Sequence, residues 1–128
     1  MRPHIAAALA AASCVAALGA TTALGHSGVL SSSPRSGAVL ERSPARVTIT
    51  FSGPVARLGT TTATRNGEGN LVKSARVSPG DASRVVVALK RPGSRKQAGT
   101  YRVSWRVTGS DGHAVRGVIS FRVSPGTG

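Results

Sequence analysis

Three residues in this 128-residue chain have types and spacing that suggest chemistry: His26, Asp111 and His113. Metal ions bind unprotonated lone-pair donors, and Asp111-Gly112-His113 offers a carboxylate and an imidazole two positions apart. In an extended segment such positions project to the same side. His26 follows a stretch that reads as an export signal, so cleavage after Gly25 makes it the first residue. An N-terminal histidine chelates through amine and imidazole together. Its α-amino group has a pKa of about 8, so a metal displaces the proton at neutral pH. The reading is one ion per chain, held by His26, Asp111 and His113. Three nitrogens and one oxygen in a tetragonal arrangement suit Cu(II), which also tops the affinity order of first-row divalent ions. Zn(II) is the rival, although it prefers a tetrahedron. With Cys14 and Met1 both ahead of residue 26, the mature chain has no sulfur ligand for a Cu(I) site.

The elements that must position these groups begin with the leader. Met1-Arg2-Pro3-His4 is a basic start, Ile5 to Ala20 is nearly all apolar, and Ala23 and Gly25 are the small residues that a signal peptidase inspects. The apolar run is short for a membrane span, which needs about 20 such residues. Residues 1–25 are therefore assigned as a signal peptide and 26–128 as one domain. The mature protein is expected to be exported, in the periplasm, cell envelope or extracellular space, and not to span a membrane. Cys14 reads as a small apolar residue in the discarded peptide. The alternative, a lipid-attachment cysteine, lacks a preceding leucine in Ala11-Ala12-Ser13 and would leave His26 internal. A mature chain without cysteine has no disulfide, so packing alone must hold it.

Losing Arg2 with the leader leaves 16 basic residues against four acidic ones, a net charge of +12 on residues 26–128. That balance suits an anionic membrane surface or an acidic envelope polymer. Nucleic acid is excluded as a partner by export, and the plain alternative is a solvated exterior, because the arginines alternate with apolar residues along strands.

The strand pattern is legible in several places. Val47-Thr48-Ile49-Thr50-Phe51-Ser52 alternates, as does Tyr101-Arg102-Val103-Ser104-Trp105-Arg106-Val107, and each has one apolar face. Val29 to Ser33 reads as an edge strand stopped by Pro34, and Ser36 to Leu40 as a short strand or turn. Val55 to Thr64 and Leu71 to Val77 read as a hairpin about Asn66-Gly67, since both turn residues tolerate positive φ. Arg84 to Leu89 and Val118 to Val123 are the remaining strands, and Lys90 to Gln97 is an exposed basic loop. About seven strands with regular turn signals predict an all-β fold, an antiparallel immunoglobulin-like Greek-key β-sandwich.

Residues 26–128 resemble the CopC-type copper-resistance proteins. The resemblance rests on His26-Ser27-Gly28-Val29-Leu30-Ser31-Ser32-Ser33-Pro34 and on Val47-Thr48-Ile49-Thr50-Phe51-Ser52-Gly53-Pro54-Val55. It continues through Gly99 to Val107, Ser110-Asp111-Gly112-His113 and Gly117-Val118-Ile119-Ser120-Phe121. It implies a Cu(II) site in which His26 gives amine and imidazole beside Asp111 and His113. It also implies a role in copper resistance, homeostasis or delivery to a membrane copper importer of the CopD kind, here a separate chain. Ser27 stands where the family usually has alanine, and Gly28 where some members carry another histidine. The family's Cu(I) sites use methionine-rich segments, which this chain lacks, so only the Cu(II) site carries over. The expected protein is a monomeric copper binder and not an enzyme.

Each residue has a plainer reading beside the metal one. His113 as a polar loop histidine, Asp111 as a turn former and Trp105 as core all fit their surroundings, and His26 is internal if cleavage falls after Ala20 or Ala23. Two other functions compete. One is a copper-dependent oxidative enzyme with a histidine brace, disfavoured by few aromatics and by a carboxylate ligand. The other is a metal-free basic adhesion module of the envelope. No nucleophile, base and orienting group can be assembled for hydrolysis when both histidines are committed to metal.

Overall fold

The computed structural model describes residues 28–93 and 96–126. The signal peptide assigned to 1–25, and His26 with it, lie outside the described residues. Nine strands follow in order: β1 (Val29–Ser33), β2 (Val39–Leu40), β3 (Arg46–Phe51), β4 (Val55–Leu58), β5 (Thr62–Arg65), β6 (Val72–Ser78), β7 (Asp81–Leu89), β8 (Gly99–Gly109) and β9 (Ala114–Val123). They form two sheets, one ordered β1-β3-β7-β6, the other β2-β9-β8-β4 with β5 also paired to β8. Among the described residues there is no α-helix, and none is long and apolar enough to cross a membrane.

The alternation that marks the strands also builds the core. Val47, Ile49 and Phe51 of β3, Val85, Val87 and Leu89 of β7, and Tyr101, Val103, Trp105 and Val107 of β8 are all buried between the sheets. Ile119, Phe121 and Val123 of β9 complete the layer. Burying each such side chain contributes about 1.5–3 kcal/mol. Tyr101 stacks on Phe121 with centroids 5.2 Å apart, and Phe51 meets Trp105 edge-on at 6.4 Å.

Two features depart from the expected architecture. The first is that β2 runs parallel to β9, pairing Val39 with Arg122 and Leu40 with Val123. The second concerns Asn66-Gly67. Both residues adopt positive φ, 53° and 77°, as a tight turn demands. The expected hairpin closes only at its tip, where Arg65 and Glu68 exchange backbone hydrogen bonds at 3.3 and 3.0 Å; beyond it β5 pairs with β8, and β6 pairs with β7 in the other sheet. Asn66 is tied to β8 instead, donating its N–H to Thr100 O at 2.8 Å and accepting from Thr100 N at 2.9 Å. Asn70 Oδ1 then accepts from Ala63 N and Val72 N, both at 3.1 Å, where the chain passes from one sheet to the other. Turn chemistry was local and correct; the partner of the return strand was decided by burial of Ala75 and Val77 against the core.

Burial pushes the Tyr101 phenol above its ordinary value, against a smaller pull from the Arg65 cation. Its hydroxyl also donates to Gln97 O at 2.7 Å. A raised folded-state value stabilises the protein fully below the unfolded phenol's pKa of about 10 and is lost as pH rises through the folded value. Alkaline destabilisation is therefore expected to begin near pH 10. Tyr101 is the only tyrosine, so phenolate absorbance reads it directly. Titration at the value of free tyrosine in the folded protein would refute this account.

Candidate metal centre

Asp111 and His113 sit in the turn joining β8 to β9, the longest hairpin of the fold. Ten consecutive residue pairs, from Gly99↔Val123 to Thr108↔Ala114, hold it in register. The turn closes through Gly109 N–H to His113 O and Gly112 N–H to Gly109 O, each at 2.9 Å. Gly112 takes φ +86°, a conformation that a side chain would strain.

The two candidate ligands do come together, by a route other than the extended pleat expected. Asp111 Oδ1 accepts the His113 backbone N–H at 3.0 Å. This short-range bond bends the segment and leaves His113 Nδ1 3.3 Å from Asp111 Oδ2. Their side chains are 63% and 39% exposed, so both heads remain reachable from solvent. A carboxylate and an imidazole so close suit either a mutual ion pair or two adjacent positions on one ion. Among the described residues no group of three or more His, Cys, Asp or Glu is placed to hold a metal. The loop therefore offers two neighbouring donors, half of the expected four. His26, the expected source of the other half, lies outside the described residues.

The turn Ser52-Gly53-Pro54 joins β3 to β4. It stands between the two ends of interest. Ser52 N–H donates to Gly28 O at 2.8 Å, and Ser110 N–H donates to Pro54 O at 3.1 Å. Gly28 and the Asp111 loop thus lean on the same turn, at the same end of the sandwich. Behind them, Trp105 is buried against Phe51, as expected of a core residue. Its Nε1 has no hydrogen-bond partner among the described residues.

Fold and loop together define a small β-sandwich that presents an Asp-x-His turn at one end. Residues 29–124 match the model of the CopC domain, and the chain belongs to that family of copper-resistance proteins. Similar solved structures include the following two. CopC from Methylosinus trichosporium OB3b is 26% identical with a TM-score of 0.69, over 80% of this chain and 98% of that one. PcoC, a methionine-rich copper resistance protein from Escherichia coli, is 29% identical with a TM-score of 0.61, over 78% of this chain and 100% of that one. A search of curated proteins found no match.

Proposed function

We propose that this protein is an exported, non-catalytic copper binder that holds one Cu(II) through the amine and imidazole of His26, the Asp111 carboxylate and the His113 imidazole. The observation that carries the reading is the shared Ser52-Gly53-Pro54 turn, which brings Gly28 and Ser110 to one end of the sandwich. His26 is two residues before Gly28, and an extended chain spans at most about 3.6 Å per residue. Two residues of chain reach about 7 Å from Gly28, which supports His26 as a ligand beside the loop. Membership of the family supports copper as the metal. PcoC is described as methionine-rich, whereas the single methionine here is Met1, which favours Cu(II) over Cu(I). A monomer in the periplasm or cell envelope, exchanging copper with a separate membrane importer, is the setting that fits.

The test is a Cu(II) titration of residues 26–128 against a competing chelator. One tight site per chain is expected. Replacing even an outer partner of a metal ligand typically costs 10–100-fold in affinity, so His113→Ala, which deletes a ligand, is expected to lose about a hundredfold. Unchanged affinity in His113→Ala removes the loop from the site and ends this reading.

A further inference from the structure

We infer that the outer face of the β4–β8–β9 sheet docks on an anionic phospholipid surface. The argument is independent of copper. Arg57, Arg102, Arg106, Arg116 and Arg122 are all exposed. The pairing register puts them on one face: Arg57 lies opposite Thr108, Arg106 opposite Arg116, Arg102 opposite Ser120 and Thr100 opposite Arg122. None of the chain's four carboxylates belongs to these strands, and among the described residues none forms an ion pair with these arginines.

Arg106 and Arg116 are directly opposed like charges, an arrangement that destabilises a sheet unless something outside neutralises it. The opposite sheet differs, because its Arg84 has Asp81 3.7 Å away. Asp81 is itself held below the usual carboxylate range, first by hydrogen bonds from Ser83.

The layout favours a surface over a single polymer chain. The five cations are spread over three adjacent strands rather than along one line. From Arg116 to Arg122 the face extends about 20 Å, at roughly 3.4 Å per residue. Ser104, Ser120 and Thr62 lie between the cations, and Val118 near the middle is 45% exposed. Guanidinium groups bind phosphate oxygens through paired N–H donors, while their stems cover apolar surface. A plane of phospholipid phosphates meets every one of these groups at once.

The test uses residues 26–128, which contain all nine strands and omit the apolar leader. Binding is measured by co-sedimentation with vesicles of phosphatidylcholine alone and of phosphatidylcholine mixed with phosphatidylglycerol. Binding only to the mixed vesicles, weakening with salt, is expected. Each juxtamembrane cation removed weakens binding about fivefold, so Arg106→Gln with Arg116→Gln is expected to lose on the order of 25-fold. Arg46→Gln with Arg76→Gln makes the same charge change on the other sheet and is expected to alter binding only slightly. Thermal unfolding of both pairs checks that each is folded. The inference is overturned by equal losses in the two pairs, by no binding to mixed vesicles, or by arginine-dependent binding to soluble polyphosphate without vesicle binding.

Discussion

Acetylating the α-amine of His26 lowers Cu(II) affinity by more than about a hundredfold, because it disturbs two donors where His113→Ala removes one. The His26 nitrogen becomes an amide nitrogen, with no free amine beside it to draw copper in and displace its proton. The five-atom clip of amine and imidazole on one ion is then lost, although every side chain remains. The measurement is a competitive titration comparing residues 26–128 with the same chain acetylated at its N-terminus. Equal affinity in the two forms means that the amine is not a ligand. A loss in the acetylated form with no effect of His113→Ala would instead describe an N-terminal site separate from the loop. The pair of variants thus tells the whole site from either half of it.

Gly117→Ala is expected to destabilise the fold by about 3 kcal/mol, the upper part of the range for overpacking a core. Gly117 lies opposite Trp105 in the β8–β9 register. A Cβ built on Gly117 falls against Cζ2 and Cη2 of the indole, inside normal contact. The ring cannot simply swing away, because Phe51 meets it edge-on and the residue is 5% exposed. For a domain of this size 3 kcal/mol corresponds to a fall in Tm of roughly 12–24 °C. The cause is isolated by a double-mutant cycle: in a Trp105→Ala background the added methyl has room, and most of its cost disappears. If Gly117→Ala costs the same in both backgrounds, the indole is not what excludes the side chain. Its effect on copper affinity is expected to be small, which separates scaffold from ligand.

The core strands were readable because each has one wet and one dry face. Val47, Ile49 and Phe51, and then Tyr101 through Val107, alternate strictly and are buried as the pattern requires. Pairing between distant strands was less readable. Nothing local to Asn66-Gly67 announces that the strands flanking it belong to different sheets, since that choice rests on which apolar side chains the distant β7 and β8 can cover. The parallel β2–β9 contact was hidden for a similar reason: Val39-Leu40 is too short for any periodicity. At the site, Asp111 and His113 were recognisable by residue type, but their approach through an Asp111 side-chain bond to the His113 backbone was not. The role of Pro54 escaped altogether, because its carbonyl acts through the backbone and leaves no mark on side-chain chemistry.

The Ser52-Gly53-Pro54 turn also bears on when the chain becomes competent. Its two clients come from opposite extremities of the polypeptide, and contacts between such remote segments are closed slowly, after local pairings have formed. The β8–β9 hairpin pairs residues near one another in sequence, yet Ser110 finds Pro54 only once that hairpin has joined the opening strands. Under the proposed chemistry, a nascent or clipped polypeptide would be unable to sequester copper, and loading would certify that synthesis and assembly had both been completed.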